Sequence, residues 1–196
     1  MKSDVISVTS RDGIMEAALK QVDKVAVYKE LSPRGALHLR LLTEEMMALV
    51  RAITGTAQGE FWIQDEDGVY ELHLKVNTLI DQVRRGQLIS SSTAGKNEAT
   101  RGFMGKIRSF FDPSAGAPVF SGGFMPGSSS QMYGSFAWSM EDYREQLQEF
   151  KGQHREGAEA AWDELEKSVV GHLADDVKVS IKGHTVEMTI QKKLEA

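Results

Sequence analysis

The stretch EFWIQDEDGVYELHLKV (residues 60–76) decides the class of fold. In its second half Val69, Glu71, His73 and Lys75 alternate strictly with Tyr70, Leu72, Leu74 and Val76. Successive side chains of an extended chain point to opposite faces, so this is a strand with one polar and one apolar side. Residues 60–64 (EFWIQ) read as its partner. Asp67-Gly68 between them is a dipeptide that tight hairpin turns favour, because the central residues need positive φ. A hairpin with one apolar face is not stable alone, so other elements must cover it.

Upstream, VISVT (5–9) is a short β-branched strand, and Asp12 with Glu16 opens a helix. Ile14, Ala18, Val22 and Val25 form the apolar stripe of that helix. Ser32-Pro33 starts a second helix, with proline suited to the first turn. Its face is Leu39, Leu42, Met46, Leu49, Val50 and Ile53, and Gly55 ends it. Downstream, residues 141–174 read as helix with a break between Gly152 and Gly157. A second alternating pair, VKVSI (177–181) and TVEMTI (185–190), closes the chain around Lys182-Gly183-His184. A further helix is predicted over Glu98–Phe111, and no internal repeat is visible. The expected architecture is one domain over residues 1–196, a two-layer α/β sandwich with helices on one face of a mixed sheet.

With 196 residues the chain can bury roughly 70 % of its unfolded surface. A net charge of −5 argues against a general phosphate-backbone binder. The absence of cysteine excludes disulfides, thiolate metal sites and cysteine nucleophiles. The first residues, MKSDVISVTSRDG, contain no apolar signal region, and no run approaches a membrane span, so the expected location is cytoplasmic.

Residues 113–140 (PSAGAPVFSGGFMPGSSSQMYGSFAWSM) carry no charge and are dense in Gly, Ser, Pro, Met and aromatics. They read as an inserted loop. Phe120, Phe124, Met132, Tyr133, Phe136 and Trp138 are its candidate partner-binding side chains, since large apolar groups dominate binding hot spots. The competing reading folds this segment back over the domain's own sheet or into a vacated cleft.

Three stretches together resemble the GHKL superfamily of histidine-kinase-type ATP-binding domains, most closely its anti-sigma-factor serine-kinase branch. HLRLLTEEMMALVRAITG (38–55) is similar to the family's N-box helix, the step into Val76-Asn77-Thr78 to its adenine-binding strand end, and ELEKSVVGHLADDVKVSIKGHTVEMTI (164–190) to its last helix and strands. The resemblance implies a general-base role for Glu45, which is vestigial here because the magnesium-binding asparagine of the family falls on Leu49. It places Asn77 at the adenine position, but Leu79 replaces a glycine. Gly95, Lys96, Asn97, Arg101, Gly102, Gly105 and Lys106 match the family's flexible lid and are the candidate nucleotide- or anion-binding residues. These glycines also read simply as turn and cap residues. With two motifs broken, ATP hydrolysis is not expected. No cofactor is expected either, although ATP binding without turnover stays compatible with the sequence.

His38, His73, His154, His172 and His184 show no metal-ligand spacing, so no metal site is expected. No Gly-x-Ser-x-Gly elbow supports a serine nucleophile. Arg84, Arg85, Lys96, Arg101, Lys106 and Arg108 interleave with phenylalanines, as a nucleic-acid binder requires, yet Phe103, Ile107 and Phe110 equally fit one buried helical stripe. Nucleic-acid binding through residues 84–108 is the weakest alternative. The leading expectation is a non-catalytic regulatory or signalling protein that binds another protein, with self-association as a variant. A divergent ATP-binding protein or anti-sigma-type serine kinase is the alternative.

Overall fold

The computed structural model describes residues 1–9, 14–52, 58–77, 135–153, 158–182 and 185–194. Six strands and five helices follow in the order β1 (Ile6–Thr9), α1 (Ile14–Tyr28), α2 (Pro33–Ala52), β2 (Gln58–Glu66), β3 (Val69–Asn77), β4 (Ser135–Ser139), α3 (Met140–Gly152), α4 (Ala158–Lys167), α5 (Val169–Leu173), β5 (Asp176–Lys182) and β6 (Thr185–Lys193). The strands form one sheet in the order β1-β2-β3-β6-β5-β4.

The hairpin forms as its sequence dictates. Asp67 and Gly68 both take positive φ, 49° and 81°, and Glu66 pairs with Val69. Tyr70, Leu72, Leu74 and Val76 are buried, as are Phe61 and Ile63 of β2. In the second hairpin Val177, Val179, Met188 and Ile190 occupy the same side. Against this face lie Ala18, Val22 and Val25 of α1, Leu39, Leu42, Met46 and Met47 of α2, and Met140, Tyr143 and Leu147 of α3. The other face has no helix over it among the described residues and carries the polar half of β3 and β6, the usual layout of a one-sided antiparallel sheet. A two-layer α/β sandwich results.

Three expectations are corrected. The sheet is not mixed, because every strand pairing among the described residues is antiparallel. The helices between β1 and β2, and those between β4 and β5, each return the chain to run against its neighbour. The uncharged stretch 113–140 is not loop to its end, since Ser135–Ser139 is strand β4 and Met140, fully buried, begins α3. The helix expected over 158–174 breaks at Ser168, whose side chain accepts a hydrogen bond from the Gly171 N–H and caps α5. The helix expected over 98–111 lies outside the described residues.

The structure also contains a repeat that the sequence does not display. β1-α1-α2-β2-β3 and β4-α3-α4/α5-β5-β6 follow the same order of strand, helices and hairpin. Val69–Asn77 and Thr185–Lys193 are both nine residues long and pair end to end, Val69 with Lys193 and Asn77 with Thr185. Each residue of β3 therefore corresponds to the one 116 positions later in β6, and the local two-fold axis passes between His73 and Thr189.

Candidate functional site

The uncovered sheet face is organised around this axis. Trp62 pairs with His73 across the first hairpin, and their rings stack at 4.8 Å with 6° between planes. Thr189 pairs with His73 from the other side. The Thr189 Oγ1 lies 3.1 Å from His73 Nδ1, and His73 Nε2 lies 3.0 Å from Glu71 Oε2. Glu71 as a carboxylate only accepts, so Nε2 carries the proton, and Nδ1 accepts from the threonine hydroxyl. Gln191 fixes the second carboxylate oxygen, donating from Nε2 to Glu71 Oε1 at 2.6 Å. The Lys2 ammonium sits over the Trp62 ring at 5.0 Å.

Burial holds the His73 imidazole below its ordinary range, and Lys2 adds to this, against the pull of Glu71 and Glu187. His73 is thus a neutral ring with both nitrogens occupied. The order hydroxyl, imidazole, carboxylate is that of a nucleophile relay. Catalysis would also need donors aimed at a developing oxyanion. β3 and β6 are interior strands with a neighbour on each side, so their backbone N–H groups belong to the ladders. The network reads as a pin across the two halves. Its Trp62–His73 part was readable by counting back from Asp67-Gly68; the Thr189 partner was not, because it lies 116 residues away.

A second cluster joins the helix layer to the sheet. Asp65 is 5 % exposed and its carboxylate takes the Lys29 ammonium at 2.6 Å and the Met1 amino group at 3.4 Å. Burial pushes the Asp65 carboxyl up, but the two ammonium groups outweigh it and hold it below the usual range. A shallow groove of about 340 Å³ opens beside the hairpin corner, lined by Gln64, Glu66, Asp67, Val69 and Glu71. Among the described residues no group of three or more His, Asp or Glu side chains is placed to hold a metal ion.

Of the positions singled out from the sequence, Glu45 lies half-buried on α2. Asn77 ends β3, exposed, and accepts a hydrogen bond from the Thr185 hydroxyl at 3.0 Å. Gly95, Lys96, Asn97, Arg101, Gly102, Gly105 and Lys106 lie outside the described residues, as do Phe120, Phe124, Met132 and Tyr133. Phe136 and Trp138 belong to β4, opposite Ile181 and Val179 of β5. This strand closes the sheet at one end, with β1 at the other. Among the described residues β4 has β5 on one side and no strand on the other.

No described helix is long and apolar enough to cross a membrane. Comparison with protein-family models, with curated proteins and with solved structures finds no match.

Proposed function

We propose that this chain is a non-catalytic regulatory or signalling protein that acts by binding another protein, and that β4 is its docking edge. The observation that supports this reading is the character of that edge. Ser135–Ser139 runs in unbroken register along β5, from Ser135 opposite Lys182 to Ser139 opposite Lys178, with no charge, proline or bulge. Sheet edges normally carry such features because a row of free N–H and C=O groups recruits other strands. An edge without them suits addition of a partner strand, with main-chain hydrogen bonds giving affinity and alternate side chains giving selectivity.

The histidine-kinase-type scaffold rests on local sequence alone, with Glu45 on a helix that precedes a hairpin ending in Asn77. In neither reading is Mg²⁺-dependent ATP turnover expected, because Leu49 supplies no oxygen ligand four residues after Glu45. Addition of Mg-ATP should leave the melting temperature unchanged, and a saturable stabilisation would return the nucleotide reading to first place.

Quantitative affinity capture tests the docking edge. Ala137→Pro removes one β4 backbone donor, and Ser7→Pro does the same at the opposite edge. Binding of a captured protein should fall at least tenfold with Ala137→Pro and persist with Ser7→Pro, both chains retaining the wild-type circular dichroism. Equal retention in both variants would place the docking surface elsewhere.

A further inference from the structure

The two edges of the sheet are built differently. On the β1 side Lys2 pairs with Gln64 while Ile6 pairs with Phe61, so one extra residue bulges between the two registers. Within this irregular stretch the Asp4 carbonyl accepts a hydrogen bond from the Gln21 side chain of α1 at 3.0 Å. Lys2 and Asp4 add charge. Bulge, charge and cover are the means by which an edge is kept from pairing. Among the described residues β4 shows none of them. Its sequence, Ser135-Phe136-Ala137-Trp138-Ser139, has the same pattern in both directions: small, aromatic, small, aromatic, small.

We propose that β4 is the contact strand of a two-fold homodimer, in which Ser135–Ser139 pairs antiparallel with the same residues of a second copy. This names a partner for the docking edge and rests on that reading. With the axis at Ala137, Ser135 faces Ser139 of the second copy, Phe136 faces Trp138, and Ala137 faces itself. Aromatic pairs opposite one another stabilise antiparallel ladders, and like charges opposite one another disrupt them. Here no charged residue meets its own copy, although the chain as a whole carries −5. A partner strand of unrelated sequence would require no such symmetry. In a self-paired strand it sets small residues opposite small ones and an aromatic opposite an aromatic. The junction also continues the antiparallel order that the sheet follows throughout.

The chain contains no cysteine, so a single introduced thiol reports the geometry directly. Position 137 lies opposite Ser180 in the β4–β5 register. Directly opposed residues of an antiparallel pair have Cβ atoms about 4.5–5.5 Å apart, close enough that small shifts bring a disulfide within reach. Under mild oxidation Ala137→Cys should form at least tenfold more covalent dimer than Ser7→Cys, which places the thiol on the other edge. Light scattering should show a concentration-dependent dimer of the wild-type protein, reduced to monomer by Ala137→Lys, which sets like charges on the axis without removing a backbone donor. A wild-type monomer at all concentrations, with no preferential disulfide, overturns the homodimer. The docking reading then stands or falls separately on capture by Ala137→Pro. A dimer that persists in Ala137→Lys and forms no disulfide at position 137 overturns this pairing as well.

Discussion

Thr189 faces His73 directly across the central β3–β6 ladder, with its hydroxyl 3.1 Å from the ring Nδ1, and the two residues occupy corresponding places in the two halves. The point where the repeats meet is therefore held by a neutral imidazole that Glu71 and Thr189 bind from opposite sides. Protonating that ring turns Nδ1 from an acceptor into a donor and reverses the bond to Thr189.

This makes stability depend on pH in a defined window. The unfolded histidine takes a proton near its ordinary value of about 6.5, whereas the folded His73 is held lower by burial and by Lys2. Between the two values the unfolded chain binds more protons, so stability is complete above about 6.5 and falls as the pH is lowered. His38 is shifted the same way by burial, Arg34 and Lys192, and contributes to the same slope. His73→Asn should cost stability at pH 8 and flatten the dependence of the melting temperature between pH 5 and 7. An unchanged slope in that variant would exclude His73 as its source.

The Asp65–Lys29 pair acts at the acid end. Asp65 titrates below the usual carboxylate range, so the stability it provides is present above about pH 4 and is lost as the pH falls through its folded value. Asp65→Asn and Lys29→Met should each lower the urea midpoint, and the double variant should lower it by less than the two shifts combined. Strict additivity would show that the 2.6 Å contact contributes nothing beyond its separate parts.

Leu42 is fully buried on α2 among Leu39, Met46 and the sheet. Leu42→Ala should cost about 2–5 kcal/mol in chemical denaturation, from lost transfer free energy and the residual cavity. A cost below about 0.5 kcal/mol would mean that α2 does not cover the sheet.

Residue spacing made the helices and hairpins legible, because alternation in 69–76 and the stripe Ala18, Val22, Val25 record which side of each element is buried. Trp62 shows where this reading stops. It is a large aromatic that invites placement in the core, yet it lies on the polar face, stacked on His73. The repeat was hidden for a related reason. Corresponding positions keep their apolar character but not their identity, as in Phe61 and Val177, Ile63 and Val179, or Leu72 and Met188. Asp65 even corresponds to Ile181, because only the first half uses that place for an ion pair. β4 was missed since its five residues continue an uncharged Gly- and Ser-rich stretch, and only pairing with β5 distinguishes them.

The repeat itself is open to a direct test. The two halves are joined along the chain by the connection between Asn77 and Ser135 and, among the described residues, in space by the β3–β6 ladder and by packing of α2 on α5. Nine paired residues with Leu72, Leu74, Met188 and Ile190 buried beneath them form a contact of the kind that holds subunits together. A protease site placed at Ser128–Ser130 should therefore allow the chain to be cut without separating the halves. The cleaved protein should elute from size exclusion as one species, with unchanged circular dichroism, and separate only in denaturant. The half ending at Asn77, produced alone, should be much less stable, since its β3 strand becomes an open edge. Dissociation of the cut halves at micromolar concentration would show that the connection, and not the ladder, holds the two units together.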